Sequence, residues 1–111
     1  MADDGAPDAA SAVGPASGDA VLARETVLIV NQRGLHARAS AKFVNAVARL
    51  PKGVEVLVNK DGNEANGGSI LGLMMLGAAK GDHIEIVVTG PDADAVLMKV
   101  AGLVKDGFGE D

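Results

Sequence analysis

The sequence predicts an α+β fold: an open-faced β-sandwich with element order β-α-β-β-α-β-α, in which three helices cover one face of a four-stranded antiparallel sheet. Three observations carry this expectation. β-branched or alternating runs occupy 25–31, 54–60 and 83–89. Helical apolar spacing occupies 37–50, 69–78 and the stretch after Pro91. Finally, alternating strands present one apolar face for helices to cover and one polar face to water.

The elements follow in chain order. Glu25 to Asn31 is a β-branched run suited to a strand. Over 37–50, Phe43, Val44 and Val47 fall on one side of a helix, and Arg38, Lys42, Asn45 and Arg49 on the other. Pro51 stops that helix. Val54, Val56 and Val58 alternate with Glu55 and Asn59, and Asp61-Gly62 supplies a hairpin turn into a weak edge strand over 63–67. A short helix runs from Ser69 to about Ala78, ended by the glycines near Lys80 and Gly81. Ile84, Ile86 and Val88 then alternate with His83 and Glu85. The last helix opens with Asp92 and Asp94, where acids suit the dipole, and buries Val96, Val100, Leu103 and Val104.

Composition narrows the chemistry. A chain of 111 residues with 48% apolar content makes one small domain. Zero cysteine excludes disulfides, thiolate metal sites and thiol nucleophiles, which leaves His, Ser, Thr, Lys or a carboxylate for covalent chemistry. Two phenylalanines and no other aromatic residue give bases little to stack on, and a net charge of −5 repels a phosphate backbone, so nucleic acid is not an expected partner. Asp3, Asp4, Asp8 and Asp19, with no Lys or Arg before residue 24, supply most of that charge. Residues 1–22 therefore read as a disordered acidic Ala/Asp/Gly leader, neither a secretory signal nor a transit peptide, and 23–111 as the folded domain. No apolar run is long enough to span a bilayer, and a cytoplasmic monomer with no membrane contact is expected.

The segment Arg33-Gly34-Leu35-His36-Ala37-Arg38 joins the first strand to the first helix, and His36 occupies the N-cap where Ser, Thr, Asp or Asn would serve stability better. At that position the ring lies against free backbone N–H groups, the positive end of the helix dipole disfavours an imidazolium, and Arg38 can close over an anion. A neutral nucleophile, an amide cradle and a fixed cation suit a phosphoryl acceptor. For a lone histidine, however, the commoner reading is an exposed loop residue, here beside an ordinary solvated arginine, and the residues alone favour it. Ser40 makes a formal pair with His36 but lacks an identifiable orienting acid. No metal and no cofactor is expected, because the only other histidine is His83 and Arg38 would repel a cation.

RGLHARASAKFV resembles the active-site loop and first helix of HPr, the histidine-containing phosphocarrier of the bacterial phosphotransferase system, and the likeness continues through NEANGGSILGLMMLGAAKGDHIEI over roughly residues 24–106. The resemblance implies a carrier rather than an enzyme. His36 would accept a phosphoryl group from enzyme I, at Nδ1, and pass it to an enzyme IIA domain with help from Arg38. It also implies a regulatory role for Ser69, which an HPr kinase/phosphorylase modifies in some members. Ala39 stands where the family often has Pro, and Gly68 where a lysine is common. Ala39 and GGSILGLMM resemble alphaproteobacterial members, whose systems look regulatory rather than devoted to sugar uptake.

The second helix is apolar nearly all round. Ile70, Leu73 and Leu76 or Gly77 form one stripe, and Leu71, Met74, Met75 and Ala78 another. A helix on a sheet buries only one of them. The surplus, with Ala37, Ala41, Lys42, Ile70, Leu71, Met74 and Met75 as its expected members, reads as a docking surface for a partner with an apolar centre and an acidic rim. Burial of both stripes fits the periodicity as well. Ser69 suits an ordinary N-cap, and His83 a solvent-facing position without a role. Two other readings compete with the carrier: a non-carrying regulatory module acting through Ser69 and the methionine patch, and a small-ligand binder, for which so small a domain hardly provides a pocket.

Overall fold

The computed structural model describes residues 21–110 and shows the α+β sandwich. All but the last two positions of the expected leader lie outside the described residues. The strands are β1 (Leu22–Leu28), β2 (Glu55–Lys60), β3 (Asn63–Asn66) and β4 (His83–Thr89). The helices are α1 (Ala37–Ala48), α2 (Ile70–Met75) and α3 (Ala93–Lys105), and a 3₁₀ turn over Gly107–Gly109 follows α3. The sheet is antiparallel throughout in the order β1-β4-β2-β3, so β3 is an edge strand as its composition predicts.

Period-two alternation sets which face is buried. Val27, Val56, Val58, Ile84, Ile86 and Val88 point inward and pack with Phe43 of α1, Leu73 of α2 and Val100 and Val104 of α3. Arg24, Thr26 and His83 face water. Val87 lies on the outer face, yet it is buried, because its cross-strand neighbours are Arg24 and Leu57. Asp61 and Gly62 both adopt positive φ, as a two-residue type I′ hairpin requires.

Several boundaries differ from expectation: β2 begins at Glu55 and β3 ends at Asn66, each one residue inside the expected span, and four elements differ further. β1 begins at Leu22 and ends at Leu28 because β4 supplies extended partners only from Thr89 back to His83. Ile29 still exchanges hydrogen bonds with Asp82 and Gly81, but those residues belong to a turn. α1 ends at Ala48, with Arg49 as its C-cap, three residues before Pro51. α2 stops at Met75, since Gly77 takes up the left-handed conformation at φ +66 and its N–H closes onto Met74. Ala78 is consequently buried rather than a member of the exposed stripe. In α3, Asp92 sits at the N-cap with φ +57, leaving Asp94 as the acid in the first turn, and Leu103 is only partly buried while Leu97 and Ala101 join the core.

Candidate functional site

The loop between β1 and α1 is fixed by its backbone. Asn31 O accepts from Gly34 N at 3.2 Å, and Ala78 O accepts from Leu35 N at 2.9 Å. Gly34 has φ +62, and a Cβ there would run into the Ala78 carbonyl and the Ala79 Cα, so only glycine lets the loop lie this close to the chain leaving α2. The buried Leu35 side chain and the bond from Ser40 Oγ to Leu35 O hold the far side. His36 is thereby set at the N-cap of α1 with extended backbone (φ −71, ψ 179), and its carbonyl accepts the first helical bond, from Ser40 N.

Among the described residues, each ring nitrogen of His36 has one partner. Nδ1 accepts from Arg38 N at 3.2 Å, and Nε2 lies 2.7 Å from Glu110 Oε2. A backbone N–H can only donate, so Nδ1 carries the lone pair and the proton sits on Nε2, directed at the carboxylate. The His36 side chain is 15% exposed: the ring is reachable from solvent and not sealed beneath its neighbours. The Arg38 guanidinium stands on the exposed side of the first turn.

Sequence reasoning missed Glu110, which lies 74 residues from His36. Its other oxygen accepts from Asn31 Nδ2 at 3.1 Å, and the same Nδ2 donates to Gly34 O at 2.8 Å. Phe108, buried and at φ +59, anchors the preceding turn, and Lys42 Nζ donates to Phe108 O at 2.7 Å. Lys42, expected as a rim cation, thus tethers the C-terminal turn to α1. The hydrogen bond from His36 is the main cause holding the Glu110 carboxyl below the usual carboxylate range; the bond from Asn31 and the charge on Lys42 add to it, against partial burial. A depressed carboxyl stabilises the fold above its unfolded-state value, and the contribution is lost as pH falls through the folded-state value. The available signal was Gly107-Phe108-Gly109: one of only two phenylalanines in the chain follows the last helix between two glycines.

On α2, Ser69 is the N-cap, and its Oγ accepts from Gly72 N at 2.9 Å. Ser69→Ala should therefore cost about 1 kcal/mol. Ser69→Asp should keep the cap. Thermal unfolding checks both: the alanine variant should melt about 4–8 °C lower, with the aspartate variant close to the unvaried protein. Leu73 and Leu76 face the core, whereas Ile70, Leu71, Met74 and Met75 are exposed, Met75 at 78%. Ile70, although spaced with Leu73 and Leu76, is exposed beside the surplus stripe. α1 packs against α2. Ala37 is exposed and Ala41 half-buried. Among the described residues, no three His, Asp or Glu side chains gather to hold a metal, and no helix is long and apolar enough to cross a membrane.

The family model described as "PTS HPr component phosphorylation site" matches residues 23–106. Phosphocarrier protein HPr of Neisseria meningitidis is 40% identical over 89 residues, covering 80% of this chain and 98% of that protein. Phosphocarrier protein NPr of Escherichia coli K12 is 39% identical over 88 residues, covering 79% and 97%. Among solved structures, HPr from Thermoanaerobacter tengcongensis superposes with a TM-score of 0.74 at 31% identity over 80% of this chain and 98% of that one. HPr from Bacillus anthracis gives 0.70 at 32% identity, over 77% and 99%. Sequence and architecture therefore agree that the chain belongs to the HPr family of phosphotransferase-system phosphocarriers, proteins that carry a phosphoryl group rather than enzymes.

Proposed function

We propose that His36 accepts the phosphoryl group from phospho-enzyme I and hands it to an enzyme IIA domain. The observation that carries this reading is the Nδ1 lone pair at the N-terminus of α1, held by Arg38 N–H across a long 3.2 Å contact. In the reaction Nδ1 leaves that N–H and attacks phosphorus as the donor's P–N bond breaks. The released amide and the Arg38 guanidinium meet the phosphoryl oxygens, and the dipole of α1 favours their negative charge. This is transfer by positioning and charge stabilisation. Ile70, Leu71, Met74 and Met75, with Ala37, Ala41 and the basic side of α1, form the docking surface, and adaptable methionines suit it to several partners in turn. The carrier works as a cytoplasmic monomer.

Ser69 is the proposed regulatory position, with an HPr kinase/phosphorylase as the modifying partner. A phosphate at this N-cap suits the helix but places about two negative charges at the rim of a surface meant for an acidic partner.

Incubation with enzyme I and radiolabelled phosphoenolpyruvate tests the reading. The protein should take up acid-labile label, and His36→Ala should take up none. Label that persists in His36→Ala, or that survives acid, would contradict it. A non-carrying regulatory module predicts that His36→Ala changes no partner's behaviour.

A further inference from the structure

The C-terminal turn brings a carboxylate to the ring nitrogen that the proposed reaction does not use. Glu110 lies beyond residues 23–106, the part of the chain that the family model matches. Three separate contacts from two parts of the chain hold it: the Phe108 plug in the core, Lys42 Nζ on Phe108 O, and Asn31 Nδ2 on Glu110 Oε1. Asn31 is buried, and its amide orientation is forced, because a flip would set its oxygen against two acceptors, Gly34 O and Glu110 Oε1. That orientation leaves Asn31 Oδ1 buried without a hydrogen-bond partner among the described residues. A buried polar atom is thus left unsatisfied while the donor that steadies Glu110 stays in place.

We propose that Glu110 is a positioning residue for phosphoryl transfer, fixing the His36 ring with its proton on Nε2 so that Nδ1 is the free nucleophile on acceptance and the ring is a neutral leaving group on donation. The inference rests on His36 being the acceptor. When Nδ1 attacks, the phosphorus–nitrogen bond to the ring forms, the donor bond breaks, and the ring becomes an N-phosphoryl imidazolium that keeps its Nε2 proton. The Glu110 carboxylate, 2.7 Å away, faces the positive charge so created. On donation the P–N electron pair returns to Nδ1, and the ring departs as neutral imidazole. Without the Nε2 proton it would have to depart as an imidazolate anion, a far poorer leaving group. No proton is gained or lost over the cycle. The logic parallels that of a buried acid that fixes a catalytic histidine's tautomer.

Glu110→Gln is the test, since it preserves size at a partly exposed position outside the hydrophobic core. With the glutamine oxygen on Asn31 Nδ2, its amide nitrogen would donate to His36 Nε2 and invert the preference of the ring. Two readouts are needed: the tautomer of the neutral ring from imidazole ¹⁵N shifts, and the initial rate of label uptake from phospho-enzyme I. The inference expects the Nε2–H form to predominate in the unvaried protein, the Nδ1–H form to rise in Glu110→Gln, and uptake to fall about tenfold or more. Glu110→Ala should also slow uptake with the fold intact by circular dichroism. An unchanged tautomer, or uptake within about twofold of the unvaried protein, would overturn it. If the unvaried protein takes no label on His36, the carrier reading itself fails; if it does and Glu110→Gln behaves alike, only the role of Glu110 fails.

Discussion

Gly34→Ala is expected to lower the stability of the domain by about 3 kcal/mol and to abolish efficient phosphoryl acceptance. Two costs combine. An L-residue held at φ +62 loses about 1–2 kcal/mol. The new Cβ would also meet the Ala78 carbonyl and the Ala79 Cα, both backbone, so neither can rotate aside. The Ala78 carbonyl is moreover the acceptor for Leu35 N at 2.9 Å, and pushing it away gives up a bond worth about 1 kcal/mol. For a domain of this size such a loss lowers the melting temperature by roughly 10–20 °C. The functional loss should exceed what stability explains, because Gly34 and Leu35 fix the distance from β1 to the N-cap at His36. Thermal unfolding and label uptake measured well below the melting point check the two parts; a variant melting within about 3 °C that is labelled at the normal rate would refute both.

The second large effect is expected from Phe108→Ala. Phe108 and Phe43 are the largest fully buried side chains, and removing a buried phenylalanine costs about 3–5 kcal/mol in transfer and cavity terms. That is a large part of the 5–15 kcal/mol on which a typical domain rests. Phe108 also holds an unfavourable φ of +59, which alanine would share, so no backbone strain is relieved in return. Lys42 and Asn31 grip the same turn, but neither fills the core, so loss of the plug should loosen Glu110 from His36 and raise the Glu110 carboxyl toward its ordinary value. Urea unfolding, with the Glu110 carboxyl followed by NMR through an acid titration, checks this. A midpoint and a titration both unchanged would show that the turn is held by something other than its phenylalanine.

The parts of the molecule that obey a local period were legible in the sequence. β2 and β4 declare themselves by alternation, and Asp61-Gly62 by its demand for positive φ. His36 at an N-cap was legible because a histidine there conflicts with what helix stability alone would select. What local pattern could not show was set by partners distant in the chain. β1 shifted because β4 decided which residues had extended neighbours. Ala78 left the exposed stripe of α2 because Gly77 ended the helix before it and turned the chain inward. Glu110 obeys no period, follows three consecutive left-handed residues, Gly107, Phe108 and Gly109, and reaches His36 only because Phe108 fits the core.

The most direct measurement is ³¹P NMR of the ¹⁵N-labelled protein after phosphorylation by enzyme I. The account predicts a phosphoramidate signal coupled to Nδ1 of His36, with a proton still on Nε2. Coupling to Nε2, or a phosphorus signal on any other side chain, would contradict it.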